Sequence, residues 1–174
     1  LHHHDAVGQV HHEVHVVLDQ QQAHALALEL AQHGGQRLLF LVAQTGGGLV
    51  RPQAYEWLGH ALAPHGVTTL IPEMPFDLAG LGSDRATQVA GELAPGLDVV
   101  VGGHSLGGVM AATCAAKHPG DVDGLVLLAA YPSDGDDLTA AAIPALSLMA
   151  EHDGLADEAD VRGGLDRLPG DARL

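Results

Sequence analysis

Residues 97–118 read LDVVVGGHSLGGVMAATCAAKH, and this stretch decides the fold. Val99, Val100 and Val101 form a β-branched apolar run of the kind buried in a parallel strand. Leu106 to His118, carrying Ala111, Ala112, Ala115 and Ala116, reads as a small-residue helix stopped by Pro119-Gly120. Only Gly102 to Ser105 separate the two, so the chain must turn sharply. Gly103-His104-Ser105-Leu106-Gly107, followed by Gly108, is the G-x-S-x-G pattern, which stands a serine on a strand-to-helix turn with its hydroxyl at the top of the sheet. Glycine is needed around that turn because neighbouring backbone passes too close for a Cβ. A serine that only caps the helix behind it is the alternative.

The same alternation extends on both sides. Arg37 to Ala43 is a short apolar run, readable as a strand, and Gly46-Gly47-Gly48 makes a loop. Pro52 opens a helix whose Ala54, Trp57, Leu58, Ala61 and Leu62 follow at helical spacing. Val67 to Ile71 is a strand closed by Pro72 and Pro75. Ser83 then caps a helix with Ala86, Val89, Ala90 and Leu93 on its apolar face. Leu97 to Val101, Leu125 to Ala129 and Ala145 to Met149 supply further strands, and residues 156–168 a last helix. Strand and helix repeated in this way require crossover connections, hence a mostly parallel sheet with helices on both faces. The fold class is α/β, with one core over residues 37–174 and no internal repeat.

Composition bounds the function. A chain of 174 residues with 47% hydrophobic and 17% charged content is one folded domain, not a disordered segment. Seven Lys and Arg against 22 Asp and Glu give a net charge of −15, which argues against nucleic acid because phosphate binding needs clustered cations. No apolar run approaches the ~18 residues of a membrane span. No basic region leads into an apolar stretch at the start, so no signal peptide is visible and a cytoplasmic location is the default. The lone Cys114 forms no internal disulfide and, two turns into an alanine-rich helix, is expected to be buried rather than nucleophilic.

Residues 1–36 are of a different character and stay unassigned, with a non-native or disordered origin expected. The first 45 positions hold eight of the thirteen histidines, and the first 33 offer only Gly8 as a turn residue. His11 and His15 share a helix face at i and i+4, but position 12 is His where a metalloprotease helix has Glu. A tag remnant or a wrong reading frame explains the run better than a metal site. Asp134, Asp136 and Asp137 lack the spacing and closing Glu of a calcium loop, and read as a solvated acidic loop.

Ser105 is the candidate nucleophile. Stabilising the negative charge that develops in acyl transfer needs two backbone N–H donors: Leu106 follows the serine, and Gly47 and Gly48 lie in the loop after an earlier strand. An acid should follow the nucleophile in chain order. Asp153 lies just past the strand ending at Met149, with Glu151 competing, while Asp157, Glu158 and Asp160 read as a solvated helix face. The base is missing from its expected place, since no histidine follows His152. His104 should pack beneath the turn, facing away from Ser105, and His60 and His65 read as surface residues.

These residues resemble the bacterial α/β-hydrolase superfamily, most closely its compact "fold-5" group. The stretches GGGLVRPQAYEWLGHALAPHGV, TLIPEMPFDLA, VVVGGHSLGGVMAA, DVDGLVLLAAYP and PALSLMAEHDGL carry the resemblance from about Gly46 onward. It implies an α/β-hydrolase fold with Ser105 as nucleophile, Asp153 as acid, and Leu106 with Gly47 and Gly48 as oxyanion hole. It also implies a small-molecule acyl substrate, no cofactor and no metal. The family's leading hairpin is not recognisable in residues 1–36, and its last strand and histidine would follow Leu174. The expectation is a hydrolase fold incomplete at both ends, cut before its base and inactive as written. A non-catalytic binding or scaffold domain that keeps the turn as structure is the alternative from another class. The loops 73–82 and 131–142 would set specificity but carry no diagnostic chemistry.

Overall fold

The computed structural model describes residues 37–42, 55–71, 85–149 and 156–174. Among them the apolar runs become strands β1 (Arg37–Val42), β2 (Val67–Leu70), β3 (Asp98–His104), β4 (Gly124–Leu128) and β5 (Ala145–Leu148). The helices are α1 (Glu56–Leu62), α2 (Arg85–Leu93), α3 (Leu106–Lys117) and α4 (Glu158–Gly164). Short 3-10 turns, Ala63–His65 and Leu165–Arg167, continue α1 and α4. The expectations for residues 1–36, Gly46-Gly47-Gly48, Pro52, Ser83 and Glu151 to Asp153 fall outside the described residues.

Every described strand pair is parallel, and the order across the sheet is β2-β1-β3-β4-β5. The chain steps outward from β1 to β2, returns past β1 to β3, and then continues through β4 to β5. Its direction therefore reverses between β1 and β3. In open parallel sheets the crevice beyond the carboxyl ends of the strands at such a reversal is where ligands bind.

Right-handed crossovers put the helices on opposite faces on the two sides of that reversal. On one face Leu58 and Leu62 of α1, with Tyr55 just before it, pack on Leu39, Leu41, Val67, Val100, Val126 and Leu128. On the other face Ala86 and Ala90 of α2 and Ala111, Ala112 and Ala115 of α3 pack on Leu38, Val99, Val101, Leu125 and Leu127. Successive residues of β3 and β4 thus enter different cores, which is why both strands read as unbroken apolar runs. The small alanine face of α3 lets that helix lie close to the sheet.

Three details differ from the sequence expectation. β3 runs past Val101 through Gly102, Gly103 and His104. Glycine ordinarily weakens strands, but a Cβ on Gly102 would sit 3.1 Å from the Val126 carbonyl oxygen and 3.4 Å from Leu39 Cδ1, so close packing demands its absence. Leu93, expected on the buried face of α2, is 68% exposed, because it is the last residue of the helix and projects past the core. Trp57 is also exposed, since the buried stripe of α1 is Tyr55, Leu58 and Leu62 and Trp57 falls one step of about 100° off it.

At the far side of the sheet, β5 is not bare. The Ser147 N–H donates to the Arg173 carbonyl at 2.8 Å, and the Arg173 N–H donates to the Ala145 carbonyl at 3.0 Å. Arg173 thereby pairs parallel with Leu146 and continues the ladder by one rung.

Candidate active site

Ser105 lies at the carboxyl end of β3, on the β1–β3 reversal, with φ 53° and ψ −126°. L-residues rarely adopt a positive φ, and holding one there costs on the order of 1–3 kcal/mol. Local packing shows what enforces it. A Cβ on Gly103 would lie 2.2 Å from the Gly107 carbonyl carbon and oxygen, and one on Gly108 would lie 2.4 Å from Ala130 Cβ. The strand end and the first turn of α3 are therefore in direct backbone contact. The Ser105 N–H donates to the Leu128 carbonyl of β4 at 3.0 Å, and the Ser105 carbonyl accepts from the Gly108 N–H at 2.9 Å.

The Ser105 side chain makes no capping hydrogen bond to α3. Its hydroxyl is thus not spent on the helix terminus, which removes the capping alternative. Leu106, the first residue of α3, is 44% exposed. Its N–H belongs to the four at a helix start that have no acceptor within the helix. Gly47, Gly48, Asp153 and Glu151 lie outside the described residues, so the geometry joins Ser105 and Leu106 and is silent on the other expected partners.

The described histidines lie elsewhere. His118 ends α3, about 20 Å along the helix from Ser105. His65 precedes β2, at the amino end of the sheet, and His60 is on the exposed side of α1. His104 is buried and faces the α1 side, where its Nδ1 is hydrogen-bonded at 3.0 Å to the hydroxyl of Tyr55. Burial pushes the Tyr55 hydroxyl up to about 12, so it stays protonated.

The loop after β4 departs from the solvated acidic segment expected there. Asp136 is buried, and both the Thr113 and Ser133 hydroxyls donate to its Oδ2 at 2.6 Å. Thr113 is on α3, so this carboxylate pins the loop to the helix that begins at Ser105. From the other side Arg167 donates from Nη2 to the Pro132 carbonyl at 3.0 Å. Asp137, by contrast, is exposed, and its hydrogen bonds from the Thr139 hydroxyl and N–H hold its carboxyl below the usual range. Asp136→Ala would remove the acceptor of the Ser133 hydroxyl and leave the Thr113 hydroxyl only the Val109 carbonyl, which should cost about 1–2 kcal/mol in urea unfolding, with Asp134→Ala, whose carboxylate is exposed, nearly neutral. Equal effects would show that the buried network contributes nothing.

Neither Tyr55 nor Asp136 stood out in the sequence. Ala129, just past β4, also takes a positive φ of 46°, which marks the carboxyl edge of β4 as tightly constrained next to the β3 turn. Among the described residues no group of three or more His, Cys, Asp or Glu gathers as a metal site would require, and no helix is long and apolar enough to cross a membrane.

A sequence model of the alpha/beta hydrolase family matches residues 41–174. The chain belongs to the alpha/beta hydrolase family. Its compact "fold-5" group is the one expected from the motifs. No curated protein matches this hydrolase. Among solved structures it is similar to MGS-MChE2, an alpha/beta hydrolase enzyme from the metagenome of lagoon sediments at Mar Chica, Morocco. That pair has a TM-score of 0.60 and 17% identity, over 81% of each chain. It is similar too to a structure of the metagenome-derived lipolytic enzymes LipS and LipT, with TM-score 0.58 and 15% identity, over 80% of this chain and 82% of that one. A carboxylesterase structure from the thaumarchaeon Nitrososphaera gargenis aligns at TM-score 0.45 and 21% identity, over 57% of this chain, and this hydrolase spans 38% of its length. The first two likenesses support the hydrolase fold in the arrangement described above.

Proposed function

We propose that this hydrolase is a serine enzyme that cleaves an ester or related acyl compound, with Ser105 as nucleophile. The observation that supports it most is the backbone of Ser105, held at φ 53° on a strand-to-helix turn at the sheet's point of reversal. That conformation is costly and leaves the hydroxyl out of the helix cap. Strain of this kind persists where a site needs it.

In this reading Ser105 Oγ attacks the acyl carbon while a histidine takes its proton. The tetrahedral oxyanion is held by the Leu106 N–H and by the loop carrying Gly47 and Gly48. Collapse of the intermediate expels the alcohol, protonated by the same histidine, and water then releases the acid from the acyl-enzyme. Asp153, with Glu151 as its competitor, orients the histidine from the loop after β5. The base itself comes from outside the described residues, because each described histidine lies elsewhere. Residues 37–174 act as the hydrolase core, a small acyl molecule is the substrate, and no cofactor enters any step.

The test is covalent labelling with a fluorophosphonate probe, read by intact mass and peptide mapping, beside turnover of p-nitrophenyl acetate and butyrate. A single adduct on Ser105 supports the assignment. A folded protein that carries the sequence following Leu174 and still gives neither adduct nor turnover would instead be a binding or scaffold domain that keeps the turn for structure.

A further inference from the structure

We infer that Tyr55 is a positioning residue for Ser105, acting through the buried hydrogen bond between its hydroxyl and His104 Nδ1. This role presupposes Ser105 as the nucleophile proposed above. A residue at φ 53° keeps that conformation only if its surroundings over-determine it. After the turn, the Gly108 and Val109 N–H groups hold the Ser105 carbonyl at 2.9 and 3.3 Å. On the β4 side the ladder reaches His104 opposite Leu128, and the Ser105 N–H closes on the Leu128 carbonyl.

On the β1 side the register runs through Val42 opposite Gly103. The His104 side chain shares the α1-facing side of β3 with Val100. Tyr55 supplies its partner from the position that opens α1, 49 residues away in sequence, and is itself only 7% exposed. The rings are tilted by 45° with centroids 6.3 Å apart, so they are not stacked face to face and the hydrogen bond is the directional contact. A neutral hydroxyl both donates and accepts, and burial keeps this one neutral well above physiological pH.

The bond therefore fixes the residue before the nucleophile, as the β4 ladder and α3 fix those beside and after it. Misplacing a reacting group by about 1 Å costs on the order of 100-fold in rate. Tyr55→Phe keeps the ring in the α1 core and removes only the hydroxyl. In protein that carries the catalytic histidine we expect kcat for p-nitrophenyl acetate to fall about 10- to 100-fold, with KM within about 2-fold. Tm should stay within roughly 5 °C of wild type. The ring ¹⁵N shifts of His104 should move with the substitution. His104→Gln, whose side-chain oxygen can accept from Tyr55, should keep most of the activity. The double variant should lose no more than Tyr55→Phe alone if the pair acts as a unit. If Ser105→Ala is inactive while Tyr55→Phe matches wild type in kcat, the positioning role is overturned and the nucleophile stands. A fall in Tm without a fall in kcat overturns it as well, leaving Tyr55 a packing residue. Turnover that survives Ser105→Ala overturns both assignments together.

Discussion

In protein that carries the catalytic histidine, Ser105→Ala should abolish measurable p-nitrophenyl ester turnover, a loss of about 10⁴-fold or more in kcat, while Tm moves little. The size follows from chemistry: a nucleophile acting with its base is lost as a unit, and only binding and oxyanion stabilisation remain. The unchanged stability follows from the turn. The serine side chain caps nothing in α3, and alanine inherits the same φ of 53° without a new contact. Ser105→Gly separates the two effects further. It should be as inactive, yet more stable by about 1 kcal/mol, because glycine accepts a positive φ without a Cβ penalty. Urea unfolding measures the difference, and a Gly variant less stable than Ala would show that the backbone at 105 is not strained. Retained turnover in either variant would remove Ser105 from the mechanism.

Gly103→Ala should be the most destabilising conservative change in the β3–α3 unit. Its new Cβ would meet the Gly107 carbonyl group at 2.2 Å, and both atoms there are backbone, so no side chain can swing away. Strand and helix must separate, which undoes the turn as well as the local packing. We expect a loss of about 3–5 kcal/mol and a fall in Tm of roughly 10 °C, with ester turnover lost. Gly91→Ala in α2 is the control. Nothing lies within 4 Å of its added Cβ and its φ is not positive, so helix propensity alone should raise stability by up to about 1 kcal/mol. A Gly103→Ala protein as stable as wild type would mean that the contact between β3 and α3 is loose.

What the sequence made legible is what local pattern controls. Val99 to Val101, the alanine face of α3 and the G-x-S-x-G spacing are read within a dozen residues of one another, and they place Ser105 on its turn. Crossover logic then extends one strand–helix unit to a parallel sheet. Contacts between distant residues left no such trace. The Tyr55–His104 bond joins two side chains on different elements, and neither residue breaks the apolar pattern around it in a way that announces a partner. Asp136 sits among exposed acids in the chain, and only the approach of Thr113 from α3 reveals it as buried. Gly102 failed differently: its residue type argued against a strand, and tertiary packing against Val126 and Leu39 overrode that preference.

The strand order also sets when this molecule can fold. β1 is flanked on both sides, yet its partner β3 begins about sixty residues later in the chain, since Arg37 pairs with Asp98. A ribosome adding about 5–20 residues each second leaves the leucines of β1 without that neighbour for several seconds. No local hairpin can shelter them, because parallel strands cannot close on a tight turn. Pairings this distant in sequence slow folding and lengthen exposure to aggregation. The emergence of β3 is thus the event on which productive folding waits. Yield in a cell should depend more on chaperone capacity and growth temperature than on the stability of the finished sheet.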